Sequence, residues 1–102
     1  MMRIEAIRTL VAVYDNMSVV GAARERGYSA SAVSRQMAEL QRQLGVVLFK
    51  ADGRGISPTR HASGLVAQAR EVLAPLDRLE QYAKRLRDVT QLADDAERVG
   101  DP

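Results

Sequence analysis

The 102-residue chain has no cysteine and no tryptophan, one phenylalanine, three tyrosines and one histidine. Without thiols, disulfides, thiolate nucleophiles and cysteine-ligated zinc are excluded. The single His61 cannot build a multi-histidine metal site, and no cofactor is expected. So few aromatics argue against a stacking platform for single-stranded nucleic acid, which needs several exposed rings. They also require a mostly aliphatic core. No apolar run approaches the ~20 residues of a membrane-spanning helix. The N-terminus lacks the apolar core of a signal peptide, so a cytoplasmic location is expected.

What is present suffices for one globular domain: 46% of the residues are apolar, a normal fraction. Charge is uneven. Residues 1–61 carry nine basic and five acidic side chains, a balance of +4. Residues 62–102 carry six basic and eight acidic ones, a balance of −2. A basic front and a slightly acidic tail suggest that only the front faces a polyanion, although +4 alone also suits an ordinary solvated surface.

Ile4, Ile7, Leu10, Val11 and Tyr14 recur at helical spacing and predict a helix over about 3–15,. Ser18 is placed as the N-cap of a short helix running to Arg26, with Gly27 as its stop,. Ser29 is a second N-cap candidate. The helix after it sets Val33, Met37, Leu40 and Leu44 on one face and Ala30, Ser31, Ser34, Arg35 and Ala38 on another, and Gly45 ends it. A short helix, a tight turn and a longer helix form a helix-turn-helix pattern. Val46–Lys50 is a β-prone run, Asp52-Gly53-Arg54-Gly55 is turn chemistry, and Ile56-Ser57-Pro58 is extended. Together they predict a hairpin with Arg54 near its tip. Pro58 favours an extended Ser57, and Thr59 is available to cap the next helix.

From 62 to 99 only Pro75 interrupts a helical pattern. Leu65, Ala69, Val72, Leu76, Leu79, Ala83, Leu86, Thr90 and Ala93 alternate steps of four and three, the heptad seam of a coiled coil,. Nearly forty helical residues reach ~55–60 Å, more than a small domain covers. The far half is therefore expected to pair with the same helix of a second copy. Pro75 is expected to kink the helix or to break and restart it. Residues 100–102 read as a tail.

The run Ser29-Ala30-Ser31-Ala32-Val33-Ser34-Arg35-Gln36-Met37, then Leu40, then Leu44-Gly45-Val46-Val47-Leu48-Phe49, resembles the N-terminal domain of LysR-type transcriptional regulators. The likeness extends without gaps over about residues 3–87, through Leu10, Val11, Val13, Ser18, Ala22-Ala23, Gly53-Arg54-Gly55, Thr59, Leu65, Ala69, Arg70 and Glu71. Its most specific part is Ser29–Phe49, with the Leu-Gly-x-x-Leu-Phe ending.

The resemblance implies a mainly α fold: a winged helix-turn-helix of three helices and a small β-hairpin (1–61), then a long dimerisation helix (62–99). It implies sequence-specific binding of double-stranded DNA by a homodimer acting as a transcription regulator in the bacterial cytoplasm, at the nucleoid. The positions matching groove-facing residues are Ala30, Ser31, Ser34 and Arg35; Arg54 matches the wing residue at the minor groove. Arg35 can donate twice to a guanine edge. Ser31 and Ser34 suit phosphate or close base contact. Arg54 on its Gly-flanked loop suits a narrow minor groove, and Lys50 a non-specific phosphate. Leu65, Ala69, Val72, Leu76, Leu79, Ala83 and Leu86 are the expected pairing residues. The expected target is an interrupted palindrome.

Five positions depart from the family pattern. Ala30 replaces a common glutamine, trading bidentate pairing with adenine for a thymine-methyl contact. Arg26 stands where a buried leucine is usual and must reach solvent or find a partner. Met17 and Ala62 replace glycines, and Gln41 replaces a glutamate. The family also continues into an effector-binding domain. Here residues 88–99 read as helix or tail, and no strand is expected. Either the chain is cut from a longer regulator or it is a short one that lacks the sensor; the helical reading mildly favours the second, in which no small-molecule effector pocket is evident. An alternative function is a protein-interaction module whose long helix pairs with a full-length regulator. Enzymatic chemistry has no support, since Ser31, Ser34 and Thr59 have no histidine base in the pattern and there is no paired-carboxylate constellation or phosphate-cradling glycine loop.

Overall fold

A computed structural model describes residues 2–100, with side chains described through residue 94. The order is α1 (Ile4–Asn16), α2 (Val19–Arg26), α3 (Ala30–Leu44), β1 (Phe49–Asp52), β2 (Gly55–Pro58) and α4 (Ala62–Gly100). This is the mainly α winged helix-turn-helix followed by a long helix that the sequence predicts. Two compact units divide the chain after Glu71. Asp101 and Pro102, read as tail, lie outside the described residues; Gly100 belongs to α4.

In the first unit, two serine caps start the central helices. The Ser18 hydroxyl accepts the Gly21 amide at 2.9 Å, and the Ser29 hydroxyl accepts the Ala32 amide at 3.1 Å. Each satisfies an amide that the first helical turn leaves without a partner. Gly27 ends α2 at φ +71, a conformation that a Cβ makes costly. The turn from Gly27 to Ser29 is therefore tight, and α3 starts at a fixed point relative to α2.

The core is aliphatic. Leu10 and Val13 of α1, Ala22 and Ala23 of α2, Val33, Met37 and Leu40 of α3, and Leu48 are buried together with Val66 and Ala69 from the first turns of α4. Partly buried Tyr14, Tyr28, Phe49 and Leu65 close its edges. The compact unit reaches Glu71 because α4 begins inside this core.

The hairpin starts later than the β-prone run suggests. Val46 to Leu48 form no strand, and the antiparallel pairing runs from Phe49↔Pro58 to Asp52↔Gly55. The reason lies in Gln41. Its Oε1 accepts the Leu48 amide at 2.6 Å and the Phe49 amide at 3.2 Å. Its main-chain carbonyl also takes the Gly45 and Val46 amides. Backbone donors engaged this way are not available to a ladder. Thr59 does not cap α4 through its side chain. Its hydroxyl donates to the Val47 carbonyl at 2.7 Å and its amide to the Leu48 carbonyl at 2.8 Å. Those bonds tie the end of β2 to the segment before β1.

The second unit is the remainder of α4. The helix runs through Pro75 as one element, so the expected break and restart does not occur. Proline still leaves the Glu71 carbonyl without its helical donor. The described part carries Val72, Leu79, Tyr82, Leu86, Val89 and Leu92 exposed. Among the described residues no helix is long and apolar enough to cross a membrane.

Candidate nucleic-acid interface

The helix α3 has two faces of opposite character. Val33, Met37 and Leu40 are buried, while Ala30, Ser31, Ser34, Arg35 and Ala38 are exposed. Spacings of three and four residues put each set on one side. The core therefore fixes the helix rotation and turns the second set outward. The Ser31 hydroxyl lies 3.2 Å from that of Ser29, on the edge of the cap. Arg35 is exposed and makes no hydrogen bond or ion pair among the described residues.

The hairpin presents two more cations. Gly53 opens a two-residue loop at φ +60, the sign a type II′ turn requires at that position,. Arg54 follows it at the tip, exposed and without an ion pair among the described residues. Lys50 lies on β1 opposite Ser57, also exposed. Helix α3 and the hairpin are coupled through Gln41, which donates from Nε2 to the Met37 carbonyl at 3.1 Å while holding the start of β1.

These surfaces offer fixed cations and short hydroxyls on a rigid scaffold, chemistry suited to phosphate oxygens and base edges. An open groove of ~900 Å³ beside the exposed face is lined by Met2, Arg3 and Ala6 of the N-terminal segment and by Ala32, Arg35, Gln36 and Glu39 of α3. The Gln36 Oε1 is buried without a hydrogen-bond partner.

Arg26 resolves its departure from the family pattern by finding partners. Its guanidinium forms an ion pair with Glu5 of α1, lies 5.3 Å from the Tyr28 ring centroid and is 3.4 Å from the Tyr28 hydroxyl. That hydroxyl donates to Glu5 Oε2 at 3.1 Å. The Arg26 hydrogen bond, then the Tyr28 one, holds the Glu5 carboxyl below its ordinary value of 4.5.

The expected pairing residues fall into two groups. Ala69 is buried in the chain's own core and Leu65 packs against it. Val72, Leu79 and Leu86 are exposed, with Leu76 and Ala83 half-buried. Tyr82, Val89 and Leu92 are exposed as well and were not among the residues expected to pair. Tyr82 and Val89 lie at heptad spacing three residues after Leu79 and Leu86, but a register fixed on residues 83 and 90 passes them by.

The family described as bacterial regulatory helix-turn-helix protein, lysR family, matches residues 4–63. The HTH-type transcriptional regulator AceR of Acinetobacter baumannii is 33% identical over 82 residues, which are 80% of this chain and 28% of AceR. The chain thus spans little more than a quarter of that relative's length. Two solved structures are similar across 84% of the chain. One is a CbnR DBD–DNA complex, with TM-score 0.74, 27% identity and 99% of that chain covered. The other is a BenM DBD complex with catB site 1 DNA, with TM-score 0.75, 26% identity and 97% covered.

Proposed function

Because the chain belongs to the LysR family of bacterial regulatory helix-turn-helix proteins, we propose that it binds double-stranded DNA sequence-specifically as a homodimer and regulates transcription in the bacterial cytoplasm. The observation that carries this reading is the outward face of α3. A buried opposite face holds Ser31, Ser34 and Arg35 in fixed rotation, and Arg35 has no internal partner among the described residues. The similar CbnR and BenM structures are themselves DNA complexes.

Helix α3 enters the major groove. Arg35 reads a guanine edge or grips a phosphate, Ser31 and Ser34 contact phosphate or base edges, and Ala30 meets a thymine methyl. Arg54 reaches the minor groove from the hairpin tip and Lys50 adds a phosphate contact. The exposed Val72, Leu79 and Leu86, joined by Tyr82 and Val89, supply a heptad stripe for a second copy,. Two copies then read an interrupted palindrome.

The test is selection from random duplex DNA by the pure protein at ~150 mM salt, where non-specific phosphate binding is already weakened. Enrichment of an interrupted palindrome is expected. Folded dimer that enriches no sequence overturns the reading and turns attention to a larger regulator as partner for the α4 stripe.

A further inference from the structure

The residue most out of keeping with its site is Arg26. It ends α2 with its side chain only 19% exposed, and its Nε is buried without a partner. A guanidinium so placed is tolerated only when its remaining donors are well held. Its Nη2 is held from two directions, by Glu5 in the first turn of α1 and by Tyr28 in the turn between α2 and α3. Tyr28 occupies the central position of that turn. Its amide donates to the Ala23 carbonyl at 2.9 Å, and the next residue, Ser29, caps α3 through the Ala32 amide.

We infer that Glu5, Arg26 and Tyr28 form a clamp that fixes the turn before α3 and with it the presentation of Ser31, Ser34 and Arg35, making Glu5 and Arg26 positioning residues for DNA discrimination. Backbone bonds from Gly27 and Tyr28 to the Ala23 carbonyl tie the turn to α2. The Tyr28 hydroxyl ties it to α1, through one carboxylate shared with Arg26. The clamp depends on the side chain at position 26: a leucine there offers neither an ion pair nor a cation for the Tyr28 ring. Its consequence for discrimination rests on the DNA-binding reading above; its effect on the α3 cap does not.

The experiment therefore has two readouts on the intact chain. Backbone amide hydrogen exchange follows Ala32, whose amide is held by the Ser29 cap, with Gly21, held by the Ser18 cap, as internal control. Glu5→Ala and Arg26→Leu are compared with wild type. Arg26→Leu fills the site with an apolar side chain and guards against a variant that merely fails to fold. Exchange at Ala32 is expected to rise about tenfold in both variants while Gly21 is unchanged. The reciprocal swap, Glu5→Arg with Arg26→Glu, is expected to restore it. Unchanged Ala32 exchange, or equal acceleration at Gly21, overturns the clamp.

The second readout is the affinity ratio between the selected duplex and a scrambled duplex. A fall of at least fivefold in both variants, with scrambled-DNA affinity kept, is expected. A purely structural role lowers the melting temperature and leaves that ratio alone, and that result overturns the positioning role. Wild-type protein that shows no discrimination marks failure of the DNA-binding reading instead, and the exchange result then decides the clamp alone.

Discussion

Met17 sits at φ +47, the non-glycine residue in the left-handed region among the described residues. A side chain there costs roughly 1–2 kcal/mol against a helical conformation, and glycine relieves it. Met17→Gly is expected to stabilise the fold by about 1 kcal/mol, read as a raised denaturant midpoint at unchanged slope. Glu5 gives a prediction in pH. Its carboxyl titrates below 4.5 in the folded state because Arg26 and Tyr28 bind the charged form. Its stabilising contribution is present above about pH 4.5 and is lost as pH falls through the lowered value. The side chain is 59% exposed, so the effect is screened and modest. Acid unfolding of Arg26→Leu is expected to lack that component, which a pH series of denaturation curves measures. The positions Arg26 and Met17 were legible as departures from a family pattern. The partners of Arg26 were not, because Glu5 lies 21 residues away and a one-dimensional pattern carries no such distance.

Elements were legible where local chemistry decides them. Both serine caps and the two-faced α3 follow from the hydroxyl before a helix and the spacing of apolar residues,. The strand start was not legible, since β-branched Val46 and Val47 favour a strand. A side-chain acceptor seven residues upstream claims the Leu48 amide first. That acceptor, Gln41, read from sequence as no more than a missing charge. Gln41→Leu is expected to orphan the Leu48 and Phe49 amides and to cost ~1–3 kcal/mol. Gln41→Glu keeps both bonds and gives them a charged acceptor, so it is expected to fold at least as well as the leucine variant in thermal unfolding. Pro75 is a narrower case. Local rules predict a kink or a break, and α4 continues through Pro75 as one helix, so the break does not occur. Pro75→Ala removes a residue that costs ~3 kcal/mol in a helix interior, and is expected to raise the helical signal and thermal stability.

Across the molecule, most of the exposed large apolar side chains lie on α4, though Met2, Ile4, Val20 and Val47 are exposed too. Leu79 and Leu86 take no part in the hydrophobic core. Leu79→Asp with Leu86→Asp is therefore expected to halve the mass seen by sedimentation equilibrium and to leave the first unit folded. For DNA, Arg35→Ala is expected to cost ~1–3 kcal/mol against the selected duplex with stability changed by no more than ~0.5 kcal/mol. Lys50→Ala and Arg54→Ala are each expected to lower the salt slope of binding by about one. Titrations at several salt concentrations read both. Heptad spacing does not say which stretch of a long helix its own domain will use: Ala69 fits the repeat and is buried in the chain's own core.

The division of labour on α3 also bears on how such a protein changes over generations. Val33, Met37 and Leu40 hold the fold, while Ala30, Ser31, Ser34, Arg35 and Ala38 take no part in the hydrophobic core. Replacements on that outer face move stability by no more than ~0.5 kcal/mol. If that face reads DNA as proposed, a duplicated copy can therefore drift in DNA preference one substitution at a time, through intermediates that all fold. Ala30→Gln is one such step: it introduces an amide able to pair with adenine at a position where nothing else in the molecule must adjust.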